Sequence, residues 1–127
     1  CTPCCKRKRR DPGSMPAARR YLSRRIRFVS RESRRLSVPF LILSGRFGLL
    51  DPDEGIPWYD ERLTEGKVGA LVPIVAGQLA ARHVTAIAFY ARPRPTEGWG
   101  PYYEVLERAC RECRIPMRVE SLGAAYL

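Results

Sequence analysis

Pro39-Phe40-Leu41-Ile42-Leu43-Ser44-Gly45-Arg46-Phe47-Gly48-Leu49-Leu50-Asp51-Pro52-Asp53-Glu54-Gly55-Ile56-Pro57-Trp58-Tyr59-Asp60 is the stretch whose reading decides the fold. It opens with an unbroken apolar run, the pattern of a strand covered on both faces, as central parallel strands are. Ser44, two glycines, Arg46 and a cluster of acids follow without a spacer. Polar chemistry pressed against the end of a buried strand is where open α/β sheets bind ligands. Glycines there admit a positive φ or a close approach of backbone to ligand. Asp51 to Gly55 reads as a turn, because Pro52 sets φ and Gly55 closes it. The same punctuation equally suits a well-capped connection with no ligand.

Working outward, residues 16–36 carry a helical pattern, with Leu22, Ile26, Val29 and Leu36 on one stripe and Pro16 in the first turn. Arg20, Arg24, Arg27, Arg31, Arg34 and Arg35 fall on the opposite side. Like charges so placed repel by a few tenths of a kcal/mol per pair, roughly, and a polyanion would relieve them; a solvated face is the plainer reading. Downstream, the pattern predicts a helix over 68–82, with Leu71, Ile74, Val75 and Leu79 inward and Pro73 in its first turns. His83, the single histidine, caps that helix. A strand over 84–91, a helix over 100–113 with Tyr103, Leu106 and Cys110 inward, a short strand over 115–120 and a packed loop to Leu127 complete the chain. This alternation predicts one α/β domain over 1–127: a three-layer, Rossmann-like parallel sheet of three to four strands flanked by about three helices. Residues 1–15 read as a basic loop with no strand of its own. The chain opens without Met, so a further strand upstream would complete the layer.

The net charge of +10 is unevenly placed. Residues 1–46 hold fourteen Lys/Arg against Asp11 and Glu32, a net +12, whereas 47–127 hold nine against eleven acids, a net −2. A polycationic end on a near-neutral body is the footprint of a polyanion partner such as nucleic acid. With only three lysines, the arginine richness also fits a bias in genome composition or solubility. No apolar run reaches a membrane span; the longest, 68–81, is broken by Pro73, Gly77 and Gln78. With no signal peptide either, a cytoplasmic protein with no membrane partner is expected. Five cysteines form the pairs Cys1/Cys4 and Cys110/Cys113, with Cys5 beside the first. Zinc at these thiols is disfavoured, because the two pairs should lie at opposite edges of the sheet, so free thiols and no cofactor are expected.

Leu41-Ile42-Leu43-Ser44-Gly45-Arg46-Phe47-Gly48-Leu49-Leu50-Asp51-Pro52, then Ile56-Pro57-Trp58-Tyr59-Asp60 and Leu63, resembles the signature of the YaaA-like peroxide-stress proteins. It resembles more closely a related group of small bacterial domains of unknown function, whose Cys-Ser/Thr-Lys-x-Lys start is similar to Cys4-Cys5-Lys6-Arg7-Lys8. Pro16, Ala17, Tyr21, Tyr102, Tyr103 and Leu106 fit the same pattern. Arg46, Phe47 and Cys5 depart from it, standing where the group has Lys, Tyr and Ser/Thr. The YaaA resemblance implies DNA binding and protection from oxidative damage. The smaller group implies a compact α/β domain similar to nucleobase-modifying and base-excising folds.

A parallel layer would gather four loops at one edge. Lys6, Lys8, Ser44, Gly45, Arg46, Tyr90 and Arg92 are the candidate phosphate- or nucleotide-binding residues, because cations hold anions and aromatics stack bases. Asp51, Tyr59 and Asp60 are the candidate catalytic residues, each equally suited to capping a loop or pairing Arg46. Arg20, Arg24, Arg27, Arg31, Arg34 and Arg35 are the candidates for contacting a nucleic-acid backbone. Walker, dinucleotide-binding, serine-hydrolase and zincin motifs are absent. The expected function is nucleic-acid or nucleotide binding linked to DNA or RNA maintenance or stress. The alternative is an enzyme that cleaves an N-glycosidic bond or modifies a base.

Overall fold

A computed structural model describes residues 1–123. In chain order the elements are β1 (Thr2–Pro3), β2 (Met15–Pro16), α1 (Ala17–Arg20), α2 (Arg24–Leu36), β3 (Ile42–Ser44), β4 (Gly48–Leu50), β5 (Gly55–Ile56), α3 (Glu65–Ala81), β6 (Ile87–Ala91), α4 (Gly100–Cys113) and β7 (Met117–Ser121). The protein is a mixed α/β structure of small sheets. β1 pairs parallel with β3, and β6 parallel with β7. β3 pairs antiparallel with β4, and β2 antiparallel with β5. The all-parallel layer expected from the sequence is therefore met only in part, because the chain reverses in a hairpin directly after Ser44.

Thr2-Pro3 corrects the reading of 1–15 as a strandless loop. The N–H groups of Thr2 and Cys4 donate to Leu41 O, just before β3, and to Leu43 O within it, at 3.2 and 2.8 Å. On the other side the Cys1 nitrogen donates to Ala88 O and Tyr90 N–H donates to Cys1 O, so β1 also lies beside β6. Pro3 has no N–H to continue that ladder, and the Thr2 hydroxyl supplies the missing donor to Tyr90 O at 2.7 Å. So short a strand, with proline in it, carries no periodicity to read.

The side chains of β3 alternate as a strand's must. Leu41 and Leu43 join Leu49, Phe89 and the buried faces of α3 and α4 in one core. Phe40 and Ile42 join Leu50, Ile26 and Val29 in a second. Both faces of the strand are thus covered, which explains its unbroken apolar run.

The single helix expected over 16–36 is two. Tyr21 leaves the helical path to bridge Lys8, Leu22 N–H donates to Arg7 O, and the Ser23 side chain caps α2 by accepting Ile26 N–H at 3.2 Å. Leu36, expected inward, is exposed. α3 begins at Glu65, so Pro73 sits in its interior rather than its first turns. Its buried stripe is Val68, Leu71, Val72, Val75, Ala76 and Leu79, leaving Ile74 exposed. α4 matches its expected limits, and β6 and β7 are shorter and shifted versions of the expected strands. The packed loop expected up to Leu127 lies outside the described residues beyond Gly123. Among the described residues no helix is long and apolar enough to cross a membrane.

Candidate functional site

The segment from Lys6 to Gly13 runs between β1 and β2 and is held by backbone bonds to the α1–α2 junction. Arg9 N–H donates to Arg20 O at 2.8 Å and Leu22 N–H to Arg7 O at 2.9 Å. The basic run is thereby pinned rather than left as a tail. With the segment after β5 it walls a cleft of about 500 Å³. Lys6, Arg7, Lys8 and Arg10 line it together with Trp58, Tyr59 and Asp60, and the Arg10 guanidinium lies 5.4 Å from the Trp58 ring centroid.

Tyr59 is the hinge of this arrangement. Its ring stacks edge-on against Phe47 and Tyr21, and Lys8 Nζ lies 4.5 Å from its centroid. The Arg46 guanidinium approaches the same ring at 5.9 Å, so Arg46 and Lys8 share one aromatic. The phenol is buried and shares hydrogen bonds with the Tyr21 hydroxyl and, at 2.9 Å, with Ser44 Oγ. Ser44 Oγ also accepts the N–H groups of Arg46 and Phe47. The fully buried Ser44 therefore closes the hairpin turn and offers nothing to a ligand. Gly45 is buried as well: a Cβ there would meet Leu63 Cβ at 2.9 Å. At Gly48, φ is +73°, and Gln78 clamps this hairpin by accepting Leu49 N–H and donating to Phe47 O.

Other candidates lie elsewhere. Asp51 is ion-paired with Arg82 at 3.1 Å, which fixes α3 to the β4–β5 turn. Tyr90 packs in the α2-side core. Arg92 donates to Leu122 O at 3.3 Å, beside β7. Arg20 is corrected outright: it is completely buried and donates to four backbone carbonyls. Arg24, Arg27, Arg31, Arg34 and Arg35 are exposed along α2, with Arg35 tied to Glu32 at 2.9 Å. Arg7 and Arg10, which the sequence marks only as part of a five-residue basic run suited to a phosphate, line the cleft, and so does Trp58, which the sequence reading passed over. Their signal was the basic run itself and an aromatic beside Tyr59. Among the described residues no three His, Cys, Asp or Glu side chains converge as for a metal ion.

Beneath the cleft, Cys4 Sγ lies 3.4 Å from the Tyr102 hydroxyl. Burial, reinforced by the neighbouring Cys4 thiol, holds the phenols of Tyr21, Tyr59 and Tyr102 well above the ordinary tyrosine range. Burial also pushes the Cys5 thiol up to about 11. A folded-state pKa above the unfolded one stabilises the fold fully below the unfolded value, and the benefit is lost as pH rises through the folded one. Stability is therefore expected to hold up to about pH 9, where the Cys5 thiol begins to ionise in the unfolded chain, and to fall more steeply above about pH 10, the unfolded tyrosine value. An ultraviolet titration checks this: phenolate from these three tyrosines should develop only together with loss of helix, and their free ionisation in the folded protein would contradict it.

No protein-family model, no curated protein and no solved structure matches this chain.

Proposed function

We propose that this is a nucleic-acid- or nucleotide-binding α/β protein of the YaaA-like, Rossmann-like type, serving DNA or RNA maintenance or the response to stress. One observation carries the reading: four cations and an exposed tryptophan line a single cleft, with the Arg10 guanidinium 5.4 Å from the Trp58 ring centroid. Lys and Arg hold phosphates, and an indole offers a stacking surface to any unpaired base. A single strand suits the cleft better than a duplex, because only unstacked bases can reach an aromatic wall. The exposed arginines of α2 begin just after Leu22, which lines the same cleft, and supply a track for further phosphates.

Fluorescence anisotropy with a labelled short single strand tests this. If the four cleft cations each neutralise one phosphate, affinity should fall roughly 50-fold between about 50 and 200 mM salt. Replacing Lys6, Arg7, Lys8 and Arg10 together by alanine should flatten that slope. Charge reversal at Arg24, Arg27 and Arg31 should weaken binding further if α2 contributes. Affinity indifferent to salt and to both sets of substitutions would refute the reading.

An enzyme acting on a nucleotide or nucleobase is the second reading, favoured by Asp60, which stands in the cleft without an ion pair among the described residues. On this reading Asp60→Asn abolishes turnover while melting temperature stays near that of the parent.

A further inference from the structure

Asp60 is the only acid among the residues lining the cleft. Neither an ion pair nor a hydrogen bond engages its exposed carboxylate among the described residues, although four cations share the cavity. Its neighbour Glu61 is committed, bonded to Lys67 at 3.1 Å and within 4.0 Å of Arg46. A free carboxylate repels phosphate, so a nucleotide seated here must turn its backbone toward the Lys6–Arg10 segment and its base toward Asp60. Trp58 lies next to Asp60 and is 43% exposed. It lines both this cleft and a neighbouring one of about 400 Å³, with the Arg10 guanidinium 5.4 Å from its ring centroid.

The chemistry of the carboxylate then selects the base. An ionised aspartate is acceptor-only, with two oxygens side by side. Guanine alone presents two adjacent donors on its Watson–Crick edge, N1–H and the 2-amino group. Adenine and cytosine each set one amino group beside a ring nitrogen that also accepts, and that lone pair repels a carboxylate. Thymine and uracil flank a single N–H with two carbonyls. Resting on the nucleic-acid reading above, we infer that the cleft recognises an unpaired guanine. Its base stacks on Trp58, its N1–H and amino group donate to Asp60, and its phosphates lie on Lys6, Arg7, Lys8 and Arg10.

Competition binding measures this with a short oligothymidylate carrying one central guanine, hypoxanthine, adenine or thymine. A bidentate contact should favour guanine by about tenfold over adenine or thymine. Hypoxanthine lacks the 2-amino group and should lose most of that advantage. Asp60→Asn should erase the preference while the all-thymine strand binds as well or better, because a negative charge has left the cleft. Trp58→Ala should weaken all four probes alike. Equal, salt-sensitive affinity for the four probes would overturn the guanine inference and leave nucleic-acid binding standing. A guanine preference that survives in Asp60→Asn would overturn the role of Asp60. Absence of binding by every probe at low salt would overturn both inference and underlying reading.

Discussion

Arg25→Ala is expected to destabilise the protein by roughly 4 kcal/mol, since each buried acceptor left without its donor costs about 1–3 kcal/mol and a cavity is added. Arg25 is 1% exposed, and among the described residues no carboxylate pairs with it. Its guanidinium donates to the Thr2 hydroxyl at 2.6 Å, to Pro3 O and to Cys4 O, and lies 4.9 Å from the Trp99 ring. These acceptors belong to β1 and the residue after it, between β3 and β6, where water cannot replace the lost donors. Burial lowers the guanidinium pKa from its ordinary value, with the nearby Cys5, Cys4 and Tyr102 opposing, so part of the loss is offset when the charge goes. The net change should lower the melting temperature by roughly 15 °C. Arg25→Met, which keeps most of the volume, separates the terms: it should recover the cavity part and leave the donors missing. A chemical denaturation midpoint unchanged in both variants would show that β1 does not depend on this residue.

Arg20→Leu should lower stability by roughly 3 kcal/mol, because the buried Ile56 O loses a charged hydrogen bond of about 1.5–3 kcal/mol that water cannot replace, while the three part-buried loop carbonyls regain water. Arg20 donates to Arg9 O at 2.8 Å, Asp11 O at 2.9 Å, Gly13 O at 2.7 Å and Ile56 O at 3.1 Å. Three of these carbonyls belong to the segment that carries the cleft cations, and the fourth anchors it to β5. The substitution therefore releases Arg7, Lys8 and Arg10 from their wall while leaving each in the chain. Oligonucleotide affinity should drop about as far as when those cations are removed, in a protein still folded at low temperature. Arg20→Lys should not rescue it, because one ammonium offers its donors from a point and cannot span four carbonyls. Full affinity in either variant, together with unchanged stability, would refute the clasp.

These two arginines mark the boundary of what could be read from the chain. The helical spacing of Arg20 from Arg24 and Arg27 places it on a charged helix face in the sequence. The helix in fact stops at Arg20, and Tyr21 turns aside to bridge Lys8. Arg25 lay among other arginines with nothing local to single it out. Both are buried by partners far along the chain, and no pattern of neighbours reports a guanidinium whose acceptors are distant carbonyls. Ser44, Gly45 and Tyr59 are legible as a special cluster, but not the bonds that the two hydroxyls make inside the fold. The hydroxyls are spent on closing the hairpin, and Gly45 makes room for Leu63.

What the chain determined alone was local or statistical: the apolar run of β3, the limits of α4, the stripe of α3 apart from Ile74, and a positive first third. Each follows from periodicity, or from charge counted along the backbone, and neither needs a partner. Tertiary structure alone decided that Thr2-Pro3 would be a strand, that the basic run would be a wall, and that Trp58 would stand against it. The physical reason is that a two-residue strand and a pinned loop owe their shape to hydrogen bonds with β3, β6 and Arg20. Those donors and acceptors are brought within reach only when the rest of the molecule has folded.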